Sequence, residues 1–109
     1  MKILIQGLNE FYGENVRLVK TLMKRESPEE YPDLMKWKLQ MLYFDGDNWM
    51  EICRIDNYLN ENQKGSHIHV YGRRGVNWVG ITFEDAKDVI KEISARILKQ
   101  EFKEDIKFI

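Results

Sequence analysis

At 109 residues, with 43% hydrophobic and 32% charged side chains, the chain fits one globular domain, 1–109, rather than a disordered segment. Its net charge of −1 offers no general attraction for nucleic acid or an anionic membrane, so a nucleic-acid role would need a local basic patch. No apolar run is long enough to span a bilayer, and the single cysteine, Cys53, excludes an intramolecular disulfide and a cysteine-based zinc site.

The opening stretch, MKILIQGLNEFYGEN, lacks the long apolar run and small-residue cleavage site of a signal peptide, so a cytoplasmic protein is expected. Within it Met1, Leu4, Ile5, Leu8 and Phe11 recur at helical spacing. NVRLVKTLMKRE fits a helix or a strand. A strand is favoured, because the strand that follows would otherwise lie at a sheet edge. RESPEEYPDL, Arg25 to Leu34, holds both prolines, Pro28 and Pro32, and reads as a surface loop.

MKWKLQMLYF then alternates. Trp37, Leu39, Met41 and Tyr43 point one way and Lys36, Lys38 and Gln40 the other, which is a strand with one wet face. DGDN is a turn signal and WMEICRIDN runs back. Cys53 in MEICRI reads as a small packed residue. A tight turn predicts Met41 opposite Ile52, Leu39 opposite Arg54 and Trp37 opposite Asp56. On that register the core face becomes polar at the end away from the turn, and Glu51 faces elsewhere.

YLNENQKGS is a polar connection. HIHVYG and VNWVGI read as strands joined by Arg73 and Arg74, between Gly72 and Gly75. Ile68 and Val70, with Val79 and Ile81, share one face. His67, His69 and Tyr71 share the other, with Trp78 nearby. TFEDAKDVIKEISARILKQEF predicts a helix over about 83–100, opened by Thr82 and Asp85 at capping-box spacing. Ala86, Val89, Ile90, Ile93, Ile97 and Leu98 form its apolar stripe. DIKFI alternates and suggests a short edge strand. The fold class is therefore α+β: an antiparallel sheet of four to five strands packed on one face by the C-terminal helix, with the N-terminal segment either helix or strand.

Both histidines of the chain stand as His67-Ile-His69. Alternate residues of a strand project from one face, with their side-chain roots roughly 6–7 Å apart. Three readings follow. In the first, His67 and His69 act as acid and base on an RNA phosphodiester, and Asp56 fixes one ring's tautomer. Arg54, Lys64, Arg73 and Arg74 would hold the phosphate, and Tyr71 and Trp78 would stack an unpaired base; no metal or other cofactor is needed. In the second, the two imidazoles bind a metal ion, with Asp56 or another acid as the third ligand. In the third, the histidines line the wet face of an ordinary hairpin, and Asp56-Asn57 starts a turn through side-chain to backbone bonds. Ser66 has no activating base on its own strand face.

The order RIDN, a glycine-containing loop, SHIHVYG, a short strand and an amphipathic C-terminal helix resembles the TumE-like proteins, small toxins of prokaryotic toxin–antitoxin pairs and their stand-alone relatives. The likeness covers roughly Trp37 to Leu98. That family's Asp-Asn pair and histidine cluster fall here on Asp56, Asn57, His67 and His69. Its histidine run is often longer, and the N-terminal third has no counterpart. The resemblance implies a cytoplasmic growth inhibitor neutralised by an antitoxin protein, with RNA as the target the residues suggest. The competing expectation is a non-catalytic module, an antitoxin partner or a homodimer formed through a sheet edge, with no membrane role.

Overall fold

A computed structural model describes residues 1–59, 65–72, 77–78, 80–99 and 107–108, with the backbone alone for Asn77, Trp78, Lys107 and Phe108. Seven strands, β1 (Lys2–Phe11), β2 (Val16–Lys24), β3 (Met35–Phe44), β4 (Trp49–Asp56), β5 (His67–Val70), β6 (Asn77–Trp78) and β7 (Lys107–Phe108), form one sheet in the order β6-β5-β4-β3-β2-β1-β7. Every pairing is antiparallel. Five strands are four residues or longer, and the two-residue β6 and β7 sit at the edges. The single helix among the described residues, α1 (Phe83–Leu98), packs across β3 and β4 on one face. The α+β architecture is therefore the one expected.

The core lies between helix and sheet. Leu18, Leu39, Met41 and Ile55 meet Ala86 and Ile90, all without exposed surface. Val89, Ile93 and Leu98 pack against this cluster, whereas Ile97 is exposed. Thr82 Oγ1 accepts from the Asp85 N–H at 3.3 Å, which is the capping half of the expected box. Lys99, in the left-handed conformation at φ 54, ends the helix, one residue inside the expected boundary.

The N-terminal ambiguity resolves as a strand. β1 carries two register shifts, between Ile3 and Ile5 and between Gln6 and Leu8, with Gly7 at φ 63. Each shift inserts a residue, so Ile5 and Leu8 both reach the helix side three positions apart, opposite Leu22 and Lys20. Bulges have imitated helical spacing.

The hairpin of β3 and β4 also differs from expectation. Leu42 pairs with Glu51, but Met41 pairs with Cys53, so Ile52 is an extra residue in β4. Leu39 then faces Ile55, not Arg54, and Lys38, not Trp37, faces Asp56. The core face remains apolar to its end. Arg54 and Asp56 move to the opposite, helix-free face, and Glu51 joins them there.

Candidate functional site

Pairing of β4 with β5 sets Asp56 against His67 and Arg54 against His69. Directly opposed residues of an antiparallel pair have their Cβ atoms ≈ 4.5–5.5 Å apart, so four polar side chains converge on one patch of the helix-free face. Asp56 Oδ1 lies 2.8 Å from His67 Nε2 and accepts the Tyr58 N–H at 2.9 Å. Asp56 Oδ2 lies 3.1 Å from Arg54 Nε, an electrostatic contact without the alignment of a hydrogen bond. Asp56 and His67 are each 2% exposed. The His69 ring stands edge-on to that of His67, 5.2 Å between centroids at 78°. Burial, and after it the charge of Arg54, holds the His69 imidazole below its ordinary pKa, so it is uncharged at neutral pH.

These side chains line a cavity of about 340 Å³ that Lys38, Tyr58 and Leu59 complete. Lys38 arrives from the neighbouring strand because it pairs with Asp56. Its ammonium group sits 5.4 Å from the Tyr58 ring, and that of Lys36 sits 4.5 Å away. With the His69 ring uncharged, the lining sets two cations, Lys38 and Arg54, against one carboxylate, Asp56. That surplus suits an anionic ligand. Glu51, outside the lining, lies 3.7 Å from Arg54 Nη1.

Among the expected site residues, Asp56, His67, His69 and Arg54 are brought together. Tyr71 is 63% exposed and does not line the cavity. Lys64, Arg73 and Arg74 lie outside the described residues. Lys38, Tyr58 and Leu59 were not anticipated. The alternation of β3 does set Lys38 on the wet face, but the unseen bulge at Ile52 paired Asp56 with its neighbour.

Asn57, adjacent to the site, is a clamp. Its Oδ1 accepts the Trp37 N–H at 2.8 Å, and its Nδ2 donates to the Met35 carbonyl at 2.7 Å. The Tyr31 hydroxyl of the proline loop donates to the Asn57 carbonyl. Arg25 Nη1 holds the same loop through the carbonyls of Tyr31 and Pro32, at 2.9 and 2.7 Å. Asn57→Ala removes the side-chain partners of the buried Trp37 N–H and the part-buried Met35 carbonyl and is expected to lower stability by about 2 kcal/mol in urea unfolding. A change within the error of that measurement would refute the clamp. Ser66 Oγ likewise accepts the Ile81 N–H at 2.6 Å, a structural bond.

A larger cavity, about 440 Å³, opens near the start of α1 beside Trp37 and Phe83. Among the described residues its ionisable groups are Asp33 and Glu84, with no histidine, lysine or arginine in the lining. Among the described residues no helix is long and apolar enough to cross a membrane. No family model, curated protein or solved structure matches the chain. The resemblance to the TumE-like proteins therefore rests on the motif residues alone.

Proposed function

We propose that the Asp56–His67–His69 cavity binds a phosphodiester of RNA and cleaves it by acid–base catalysis. The observation that carries this reading is a buried carboxylate–imidazole contact of 2.8 Å in a cavity whose lining cations outnumber its acids. Lys38 and Arg54 hold the non-bridging phosphate oxygens. The ribose 2′-oxygen bonds to phosphorus as the bond from phosphorus to the 5′-oxygen breaks. His69, the more accessible ring, takes the 2′-hydroxyl proton, and His67, in its imidazolium form, gives one to the departing 5′-oxygen, with proton exchange with water resetting both rings. The products are a 2′,3′-cyclic phosphate and a 5′-hydroxyl. Asp56 orients His67 and touches no substrate atom.

End-labelled single-stranded RNA incubated with the purified protein and a chelator tests the reading. Cyclic-phosphate products are expected, with DNA of the same sequence resistant and His69→Ala reduced to background. Intact RNA, or undiminished cleavage by the variant, would overturn it. RNA that is bound but uncut would leave a binding module. In a cell such an activity arrests growth, and a neutralising antitoxin protein is the partner it calls for.

One observation favours a second reading. Ligand atoms of Asp56, His67 and His69 all lie within 4.8 Å of one another, and two imidazoles with a carboxylate suit Zn²⁺ or Fe²⁺. Against it, Asp56 is already engaged by Tyr58, His67 and Arg54. One equivalent of metal in the purified protein, absent from a His67→Ala/His69→Ala variant, would favour this reading over the first.

A further inference from the structure

Resting on the reading of the cavity as a phosphodiester site, we infer that its substrate is single-stranded and lies across the helix-free face of the sheet, from the Lys38–His69 cavity to the Arg17–Trp49 pair. The strand registers lay out this face. Lys38 pairs with Thr21 and Asp56, Gln40 with Val19 and Arg54, and Leu42 with Arg17 and Glu51. Residues so paired project from the same side of the sheet. Lys36, opposite Met23, extends the face at one end, and Phe44, opposite Trp49, extends it at the other.

Charge on this face departs from that of the whole chain. On β2, β3 and β4 it presents Arg17, Lys36, Lys38 and Arg54 against Glu51 and Asp56, a surplus of two positive charges on a protein of net charge −1. Cations that track a strand, interleaved with aromatic rings, are what a single-stranded nucleic acid requires. The aromatic partners are present at both ends. Arg17 lies 4.4 Å from the centroid of Trp49, with Phe11 and Phe44 packed around that ring at 6.2 and 5.3 Å. At the other end Lys36 sits over Tyr58. A guanidinium stacked on an indole offers its second face to a base.

The length also fits. From the Lys38 row to the Leu42 row is four residues along β3, about 13 Å, and from β4 to β2 is two strand spacings, about 10 Å. A path of that size takes a few nucleotides beyond the one at the cavity. A duplex is disfavoured, because stacking on the Arg17 guanidinium and on Tyr58 needs unpaired bases. Glu51 is the one acid on the path away from the cavity, and the Gln40 amide at 3.0 Å and Arg54 at 3.7 Å moderate it.

Binding of fluorescent oligouridylates of two and eight nucleotides tests the inference, with thermal melts to confirm that each variant folds. The wild type is expected to bind the octamer more tightly than the dinucleotide. Arg17→Glu and Lys36→Glu should each weaken the octamer about tenfold, lower its salt slope by about one and shrink its advantage over the dinucleotide. Equal affinity for the two lengths, or an octamer indifferent to both substitutions, would overturn the path even if the cavity cleaves the dinucleotide. The converse result, an octamer weakened by Arg17→Glu with the dinucleotide never cleaved, would keep the path and remove the catalytic reading. A dimer in sedimentation that excludes the octamer would assign the face to a second copy and overturn the inference.

Discussion

Glu10→Gln is expected to destabilise the protein by about 3–5 kcal/mol, the largest loss foreseen for a single polar substitution, because it breaks a buried ionic cluster from its centre. Glu10 has no exposed surface. Its carboxylate contacts the Lys20 ammonium group, accepts the Tyr12 hydroxyl at 2.8 Å and accepts Lys87 from α1 at 3.1 Å. The cluster joins β1, β2 and the helix at the margin of the apolar core. An amide of the same shape keeps the volume and removes the charge, while Lys20 stays buried beside it. Lys87, with about a third of its side chain exposed, can turn to solvent, so the loss falls mainly on Lys20.

The same cluster fixes the sign of a pH dependence. Burial is the largest single influence on Glu10 and raises its pKa, but the bonds from Lys20, Tyr12 and Lys87 together outweigh it and leave the carboxyl below its ordinary value of 4.5. A folded-state value below the unfolded one means stability that is present above pH 4.5 and is lost as pH falls through the folded value. The gap between wild type and Glu10→Gln in urea unfolding should therefore be widest near pH 7 and narrow on acidification below 4.5. A gap under 1 kcal/mol at pH 7, or one that widens in acid, would contradict this account.

Neither that cluster nor the full make-up of the cavity was readable from one-dimensional pattern. Alternation in MKWKLQMLYF and the stripe from Ala86 to Leu98 stand out because each element buries one face, so period two and period 3.6 survive intact. Where the backbone inserts a residue, the period fails. Two bulges in β1 hid the strand that carries Glu10, and the bulge at Ile52 shifted the apparent partner of Asp56 from Lys38 to Trp37. His67 and His69 were legible as a pair, since β5 has no bulge against β4. Asn57 was legible only as a turn former. Its grip on Trp37 and Met35 spans about twenty residues of sequence, which no local signal encodes.

Asp56→Asn should lower RNA cleavage by about 100-fold or more while the fold survives, which separates an orienting role from mere scaffolding. The carboxylate serves three partners: the Tyr58 N–H and His67 Nε2 at one oxygen and the charge of Arg54 at the other. An amide has a single acceptor oxygen. If that oxygen stays with Tyr58 and His67, the new NH₂ confronts the Arg54 guanidinium, and the cation that should meet phosphate loses its anchor. If the amide turns over, His67 faces a donor and is driven to the other tautomer, with the wrong nitrogen protonated. The first arrangement weakens the phosphate contact and the second the proton transfer, and the stability loss stays near 1–3 kcal/mol. Retained octamer binding and a preserved melting transition, with cleavage all but gone, is the expected combination. Cleavage within a few-fold of wild type would show that His67 needs no orienting acid, and the cavity would then have to be read through its cations alone.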